Sequence, residues 1–237
     1  MVTKYRSTMA GHSGDVVFDQ LAGAILRGDL PAQSTLPPER VFAERYGVSR
    51  IIVRQAVHRL ADMGLVRVRQ GGATTVLDPE EATDLRVLAL FYRLAPGESS
   101  LLDRNDMIEK QYLQGLSIVS VASRRASDES LRRIARLVEA YGSGDQKRAP
   151  VEALEEQFWR ALAKAAKNRI FVIEVGWWYD TLRDRPLPRQ VTSLSRKMRI
   201  AFYAELARRL CARQQPVEYY LAVVAPILDA MFPRRRV

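Results

Sequence analysis

The stretch from Gly47 to Gly72, GVSRIIVRQAVHRLADMGLVRVRQGG, constrains the fold more than any other part of the chain. Its Gly-Val-Ser opening favours a tight turn, and Ser49 is a good N-cap for the helix that follows. The predicted helix, residues 50–63, carries an apolar stripe of Val53, Ala56, Val57, Leu60 and Ala61. Such a stripe needs cover from other helices, so the stretch predicts the third helix of a small helical unit.

The opposite side of this helix is cationic. Arg50, Arg54 and His58 follow one another four residues apart, with Ile51 and Gln55 beside them. Like charges at that spacing repel each other by about 0.2–0.5 kcal/mol per pair, so a partner outside the chain is expected to neutralise them. The next residues, LVRVR and TTVL around a QGGA turn, predict a β-hairpin with one basic face.

Two shorter helices are predicted before this stretch, in DVVFDQLAGAILRG and PERVFAERY. With the third helix and the hairpin they complete a winged helix-turn-helix pattern. The major groove of DNA accepts a helix, and the forked donors of Arg match guanine edges or phosphates. The sequence therefore predicts DNA binding. The alternative is a protein-interaction module whose arginines form an ordinary solvated face.

Charge and composition limit the remaining possibilities. Residues 40–70 contain seven arginines, and the acidic residues within or next to this range are Glu39, Glu44 and Asp62. Residues 85–237 contain 27 basic and 17 acidic residues. An apolar content of 47% and a charged content of 27% are typical of a globular protein. Because Cys211 is the only cysteine and neither a signal peptide nor a membrane span is recognised, a cytoplasmic location without membrane contact is expected.

The second part of the chain is helical in pattern. Seven segments between residue 85 and the C-terminus repeat apolar residues three and four apart. We therefore predict a mainly α fold, with an N-terminal winged helix-turn-helix and a C-terminal antiparallel bundle of about seven helices. The predicted boundaries are residues 1–77 for the first domain, 78–84 for an acidic linker, and 85–237 for an effector-binding and dimerisation domain.

The segment LPPERVFAERYGVSRIIVRQAVHRLADMGLVRVRQGGATTV resembles the DNA-binding domain of the GntR family of bacterial transcription regulators. The resemblance implies DNA contacts at Arg40, Arg50 and Arg54 and, at the wing tip, at Gln70 and Gly71. The positions of Ser49 and Gln55 at the third helix and of Arg69 on the wing add these three residues to the expected contacts. Because one recognition helix reads only a few base pairs, we expect a homodimer on double-stranded DNA with a palindromic operator. One departure is Gln33, where the family usually has Gly, and we expect it to alter only a turn.

The helical part resembles the FadR subfamily of these regulators, through EEQFWRALAKAAKNRIF and RIAFYAELARRLC. Many members bind a metal through an Asp and three His. Here Glu155 stands for the Asp and Trp159 stands where the first His should be, while the only histidines are His12 and His58. We therefore expect no metal and no cofactor. The metal-free, acyl-CoA-like branch of the subfamily is favoured by this comparison.

The expected effector is an elongated apolar ligand with an anionic head, of which a fatty acyl-CoA is the best example. Its apolar part is expected among Trp159, Trp177, Trp178 and Tyr203, and its head near Lys110 and neighbouring arginines. The alternatives are that the aromatic residues fill a solid core, that the effector is a small organic acid, or that the protein has no ligand.

An enzyme is not expected. The sequence contains no Gly-x-Ser-x-Gly motif, no phosphate-binding Walker loop and no dinucleotide fingerprint. Glu155 and Glu156 are adjacent, so on a helix they point to different sides and do not form an acid–base pair. A nucleic-acid-binding protein without sequence preference remains a third hypothesis.

Overall fold

The computed structural model describes residues 3–69, 71–94, 104–143, 146, 148–184 and 194–231. Within these ranges the chain forms ten α-helices, one short 3-10 helix and two β-strands, so the prediction of a mainly α fold is confirmed. The chain divides into two compact units, residues 1–104 and 105–237. No helix in the described ranges is long and apolar enough to cross a membrane.

The first unit is built on three helices whose apolar stripes face one another. Its elements are α1 (Thr3–Leu26), α2 (Glu39–Tyr46), α3 (Arg50–Asp62), β1 (Val66–Arg67), β2 (Thr75–Val76), a 3-10 helix (Pro79–Glu81) and α4 (Arg86–Leu94). Leu21 and Ile25 of α1 and Val53 and Leu60 of α3 are almost completely buried. The predicted stripe of α3 therefore faces the core, where burial of each large aliphatic side chain contributes about 1.5–3 kcal/mol.

The hairpin is antiparallel and shorter than predicted. Val66 pairs with Val76, and Arg67 pairs with Thr75. Residues 33–36, which the sequence indicated only as a turn, run beside β2 as a third extended segment. The Gln33 amide donates to the Val76 carbonyl at 2.9 Å, and the Leu36 amide donates to the Thr74 carbonyl at 2.8 Å. The wing is thereby anchored to the body of the first unit.

Helix α4 differs from its predicted place. The sequence assigned it to the C-terminal bundle, but Val87, Leu90 and Phe91 are buried in the core of the first unit. Arg93 also donates two hydrogen bonds of 2.8 Å to the carboxylate of Asp19 on α1. The reason is that α4 has an apolar face that α1 can cover. The first unit thus extends past the predicted linker at residues 78–84.

The second unit contains the other six of the seven helices that were predicted for the bundle. They are α5 (Arg104–Arg125), α6 (Asp128–Gly142), α7 (Val151–Ala165), α8 (Arg169–Asp184), α9 (Arg196–Ala212) and α10 (Pro216–Met231). Leu154, Phe158 and Leu162 form the fully buried stripe of α7. Ser127 and Ser195 cap α6 and α9, because each side chain accepts a hydrogen bond from a backbone amide three residues later.

Candidate nucleic-acid interface and ligand cavity

The turn between α2 and α3 sets where the cationic helix begins. Gly47 ends α2 with a left-handed φ of 63°, a conformation that glycine adopts without steric cost. Ser49 then caps α3 by accepting a hydrogen bond from the Ile52 amide. The first helical residue is therefore Arg50, at the exposed N-terminal end of α3.

The arginines of α3 fall into two groups. Arg50 and Arg54 are exposed and, among the described residues, have neither a hydrogen bond nor an ion pair. Arg59 has partners within the protein. Its guanidinium donates a hydrogen bond to Asp15 at 2.8 Å and lies 4.0 Å from the centre of the Phe18 ring. Gln55 and His58 are exposed between these groups. The unpaired cations thus lie in the N-terminal half of the helix.

Arg40 on α2 has a partner in the same helix. Its guanidinium donates to the Glu44 carboxylate at 2.7 Å, and both side chains are largely exposed. Exposed pairs of this kind contribute about 0.2–1 kcal/mol or less, so Arg40 can exchange Glu44 for a phosphate at little cost.

The wing presents the predicted basic face. Arg67 and Arg69 are exposed, while Val66 on the other face of the strand is buried. Gly71 has a left-handed φ of 69°, and the Gly72 amide donates to the Arg69 carbonyl at 3.0 Å, which closes the turn tightly. Gln70, which was predicted at the wing tip, lies outside the described residues.

The second unit encloses a cavity of about 230 Å³ between α5, α7, α8, α9 and α10. Its wall is mostly apolar and aromatic, and it includes Trp159, Trp178 and Tyr203 of the predicted effector residues. The wall does not include Trp177 or Lys110. Lys110 instead donates to Gln114 at 2.8 Å and lies 3.5 Å from the Glu174 carboxylate. Three of the five predicted residues are therefore brought together.

A buried ion pair forms part of the cavity wall. Arg199 on α9 is only 8% exposed, and its Nε donates to Glu155 Oε1 on α7 at 2.8 Å. Its Nη2 donates to the second Glu155 oxygen, and its Nη1 donates to Glu152 at 2.8 Å. Burial alone would lower the pKa of Arg199, but the hydrogen bonds to both carboxylates outweigh it and raise this pKa. Arg199 is consequently a permanent cation, held between two carboxylates.

Phenol groups surround this pair. Burial raises the pKa of Tyr203 and of Tyr179 well above the ordinary value, and the nearby Glu155 carboxylate raises both further. The pKa of Tyr112 is raised for the same two reasons. These hydroxyls therefore keep their protons and are able to donate hydrogen bonds. The Tyr203 hydroxyl also accepts a hydrogen bond from the Trp159 indole at 3.2 Å.

The polar part of the cavity was missed in the sequence. Glu155 was considered as a metal ligand and as half of an acid–base pair, and Arg199, Tyr112 and Tyr179 were not predicted to bind the effector. A signal does exist on α9, where Arg199 precedes Tyr203, Leu206 and Leu210 on one helical stripe. A charged residue on an apolar stripe indicates a buried charge with a partner. Among the described residues no group of three or more His, Cys, Asp or Glu could hold a metal ion.

Comparison with known proteins gives a match to the first unit. Residues 14–76 match the family described as "Bacterial regulatory proteins, gntR family". The chain is 35% identical over 158 residues to the uncharacterized HTH-type transcriptional regulator Rv0494 of Mycobacterium tuberculosis. The aligned region covers 66% of this chain and 63% of that protein. The chain is 38% identical over 114 residues to the HTH-type transcriptional regulator Mce2R of the same species, which covers 48% and 47%.

A more distant likeness extends over more of the chain. The fatty acid metabolism regulator protein of Pasteurella multocida is 25% identical over 202 residues, covering 83% of this chain and 79% of that protein. The solved structure of Lar, which controls expression of the Listeria monocytogenes agr system, has a TM-score of 0.52 at 15% identity, covering 94% and 97%. That likeness shows the fold alone. The chain spans 63% and 47% of the lengths of Rv0494 and Mce2R, which is less than two thirds of each.

Proposed function

We propose that this chain, whose residues 14–76 match the gntR family of bacterial regulatory proteins, is a transcription regulator that binds double-stranded DNA with sequence specificity. The observation that carries the proposal is the division of the α3 arginines. Arg50 and Arg54 are exposed and unpaired among the described residues, whereas Arg59 is held by Asp15. Unpaired cations at the N-terminal half of a helix suit a recognition helix in the major groove.

Each predicted DNA contact has a role that follows from its position. Arg54 and Gln55 on the exposed face of α3 can read base edges through paired hydrogen bonds. Arg50 and Ser49 at the start of the helix, with Arg40 on α2, are suited to phosphates. The basic wing with Arg67, Arg69 and the Gly71 turn reaches a neighbouring phosphate or the minor groove.

We further propose that the regulator acts as a homodimer on a palindromic operator. One recognition helix reads only a few base pairs, and two-fold symmetry doubles the length of DNA that is read. The named relatives are transcriptional regulators rather than enzymes, which supports a regulatory role.

The second unit is proposed to bind a small-molecule effector in the cavity. The fatty acyl-CoA expected from the sequence is supported by the apolar wall and by the likeness to a fatty acid metabolism regulator. Its anionic head has less support, because Lys110 is paired outside the cavity wall and Arg199 is held by two carboxylates. Titration of operator complexes with acyl-CoAs of several chain lengths tests this effector. Release that strengthens with chain length supports it, and no release with unchanged Trp fluorescence contradicts it.

Regulation further requires that the effector bind unequally to two shapes of the protein, one competent for DNA and one not. A regulator that answers to a small organic acid, or to no ligand, would show operator binding unaffected by every acyl-CoA in that titration.

The DNA-binding proposal is tested by gel shift with genomic fragments against random duplex at physiological salt. A specific regulator is expected to prefer its operator by about 10³–10⁷-fold. Equal affinity for all fragments would identify a non-specific nucleic-acid-binding protein instead. A salt titration of both DNAs then separates the phosphate contacts from the base contacts.

A further inference from the structure

The charge balance of the cavity restricts what it can bind. Of the described residues that form its wall, only Glu155 and Arg199 are charged, and they are hydrogen-bonded to each other. Glu152, with a side chain 65% exposed, adds a second carboxylate on the outer side of Arg199. The described part of the cavity wall therefore carries no net charge, and the Arg199 cation is already compensated.

A ligand of either charge would lie close to a side chain of the same charge in this cavity. A carboxylate placed against Arg199 would lie beside the Glu155 carboxylate, and an ammonium placed against Glu155 would lie beside the Arg199 guanidinium. In a mostly apolar site, with weak screening, such an arrangement is costly unless one partner of the pair is displaced. An uncharged ligand leaves the existing pair intact.

Besides the side-chain amides of Gln111 and Gln114, the remaining polar groups of the described wall are N–H and hydroxyl groups that can donate hydrogen bonds. A guanidinium has five N–H donors, and Arg199 uses three of them, which leaves two. The Tyr112 and Tyr179 hydroxyls donate to no other described residue. The Tyr203 hydroxyl accepts from Trp159, so its own proton is still available. Donors that line a cavity without a protein partner can bind an acceptor there, and an oxygen of a ligand would supply it.

We propose, building on the proposed effector-binding function but with a smaller ligand in place of the fatty acyl-CoA, that the cavity binds a compact, uncharged, largely apolar molecule that carries a carbonyl oxygen. The oxygen accepts hydrogen bonds from the free N–H groups of Arg199 and from the tyrosine hydroxyls. The apolar body lies against Trp159, Trp178 and Phe202. A cavity of about 230 Å³ lies below the about 300–1,000 Å³ that drug-sized ligands occupy, so it suits a small molecule.

The test compares three probes of equal chain length: 2-octanone, octanoate and octylammonium. Binding to the full chain is followed near neutral pH by Trp fluorescence, because Trp159 and Trp178 line the cavity. The expected result is that 2-octanone binds at least about tenfold more tightly than either ion, a difference that 1.4 kcal/mol would produce. Octanoate binding as tightly as the ketone, or no binding of any probe, would overturn the proposal.

A charge change sharpens the comparison. Glu155→Gln leaves Arg199 with only Glu152, so octanoate should gain affinity by about tenfold relative to 2-octanone. The matched control is Glu156→Gln, whose carboxylate on the same helix pairs with Arg160 and Arg183 and does not form the cavity wall. It should leave all three affinities unchanged. An equal gain of octanoate affinity in both variants would contradict the assignment of the effect to Glu155.

These measurements contain no DNA, so they stand apart from the regulator proposal. Ketone binding without specific operator binding would uphold the chemistry of the cavity and refute the proposed function. Specific operator binding together with tight octanoate binding would uphold the proposed function and refute the proposed uncharged ligand.

Discussion

Gln33 adopts a left-handed backbone conformation with a φ of 65° at the start of the segment that pairs with β2. Its amide is held there by the 2.9 Å hydrogen bond to the Val76 carbonyl. For a residue with a Cβ atom this conformation costs about 1–2 kcal/mol, and glycine avoids that cost. The family's usual Gly at this position therefore has a physical reason.

We predict that Gln33→Gly raises the free energy of unfolding by about 0.5–1 kcal/mol, after the greater flexibility of glycine in the unfolded chain is subtracted. Urea unfolding of the purified protein measures it. Gln33→Ala is the control, since it keeps the Cβ atom and should give no gain. A Gly variant less stable than the Ala variant would show that the turn is not strained.

The sequence could predict that aromatic residues line a cavity, but not which of their side chains point into it. Trp177 and Trp178 are neighbours on α8, and successive helical residues point about 100° apart. Only Trp178 lines the cavity. Arg199 and Glu155 are far apart in the chain, and their pairing depends on the packing of α9 against α7, which a single sequence does not specify.

At the scale of the elements, Gly115 on α5 leaves room for the side chains of Tyr220 on α10 and Trp159 on α7. A Cβ atom at this position would lie 2.1 Å from the Tyr220 hydroxyl and 3.0 Å from Trp159 Cη2. Tyr220 is buried, and its hydroxyl donates to the Tyr112 carbonyl at 3.0 Å. The position of the Tyr220 side chain against α5, beside the cavity, therefore requires glycine.

We predict that Gly115→Ala lowers the free energy of unfolding by about 1–3 kcal/mol, because Tyr220 must move and its hydrogen bond is lost. Gly176→Ala on α8 is the matched control. A Cβ atom there meets only the end of the Arg160 side chain, at 3.4 Å. This control should be neutral or stabilising by up to about 1 kcal/mol, since alanine favours helices. Similar losses in both variants would contradict the packing described for Gly115.

Helix α4 shows what periodicity leaves open at this scale. Its apolar face was evident in RVLALFYRL, and the helix was predicted correctly. Periodicity states that a face is buried but not which neighbour covers it, so its place in the first unit could not be read from the sequence. The winged helix-turn-helix was predictable because its turns, caps and stripes are local in the chain.

At the scale of the whole molecule, the two units carry different chemistry. The first presents Arg50 and Arg54 on α3 and Arg67 and Arg69 on the wing, whose side chains pair with no other described residue, and the second contains a cavity whose wall includes a compensated ion pair. This division fits a regulator in which one unit reads DNA and the other binds a small molecule. We propose that Arg54 on α3 determines sequence specificity by contacting base edges.

The most direct test is a competition titration of Arg54→Ala on an operator selected from genomic fragments and on random duplex. We predict that the variant loses about 1–3 kcal/mol of binding free energy on the operator and changes little on random DNA. It should also discriminate less between bases at one position of the operator. Arg132→Ala is the control, because Arg132 is an exposed arginine of α6 in the second unit. It should leave both affinities unchanged. Equal losses for the two variants on both DNAs would show that net charge, rather than base reading by α3, determines binding.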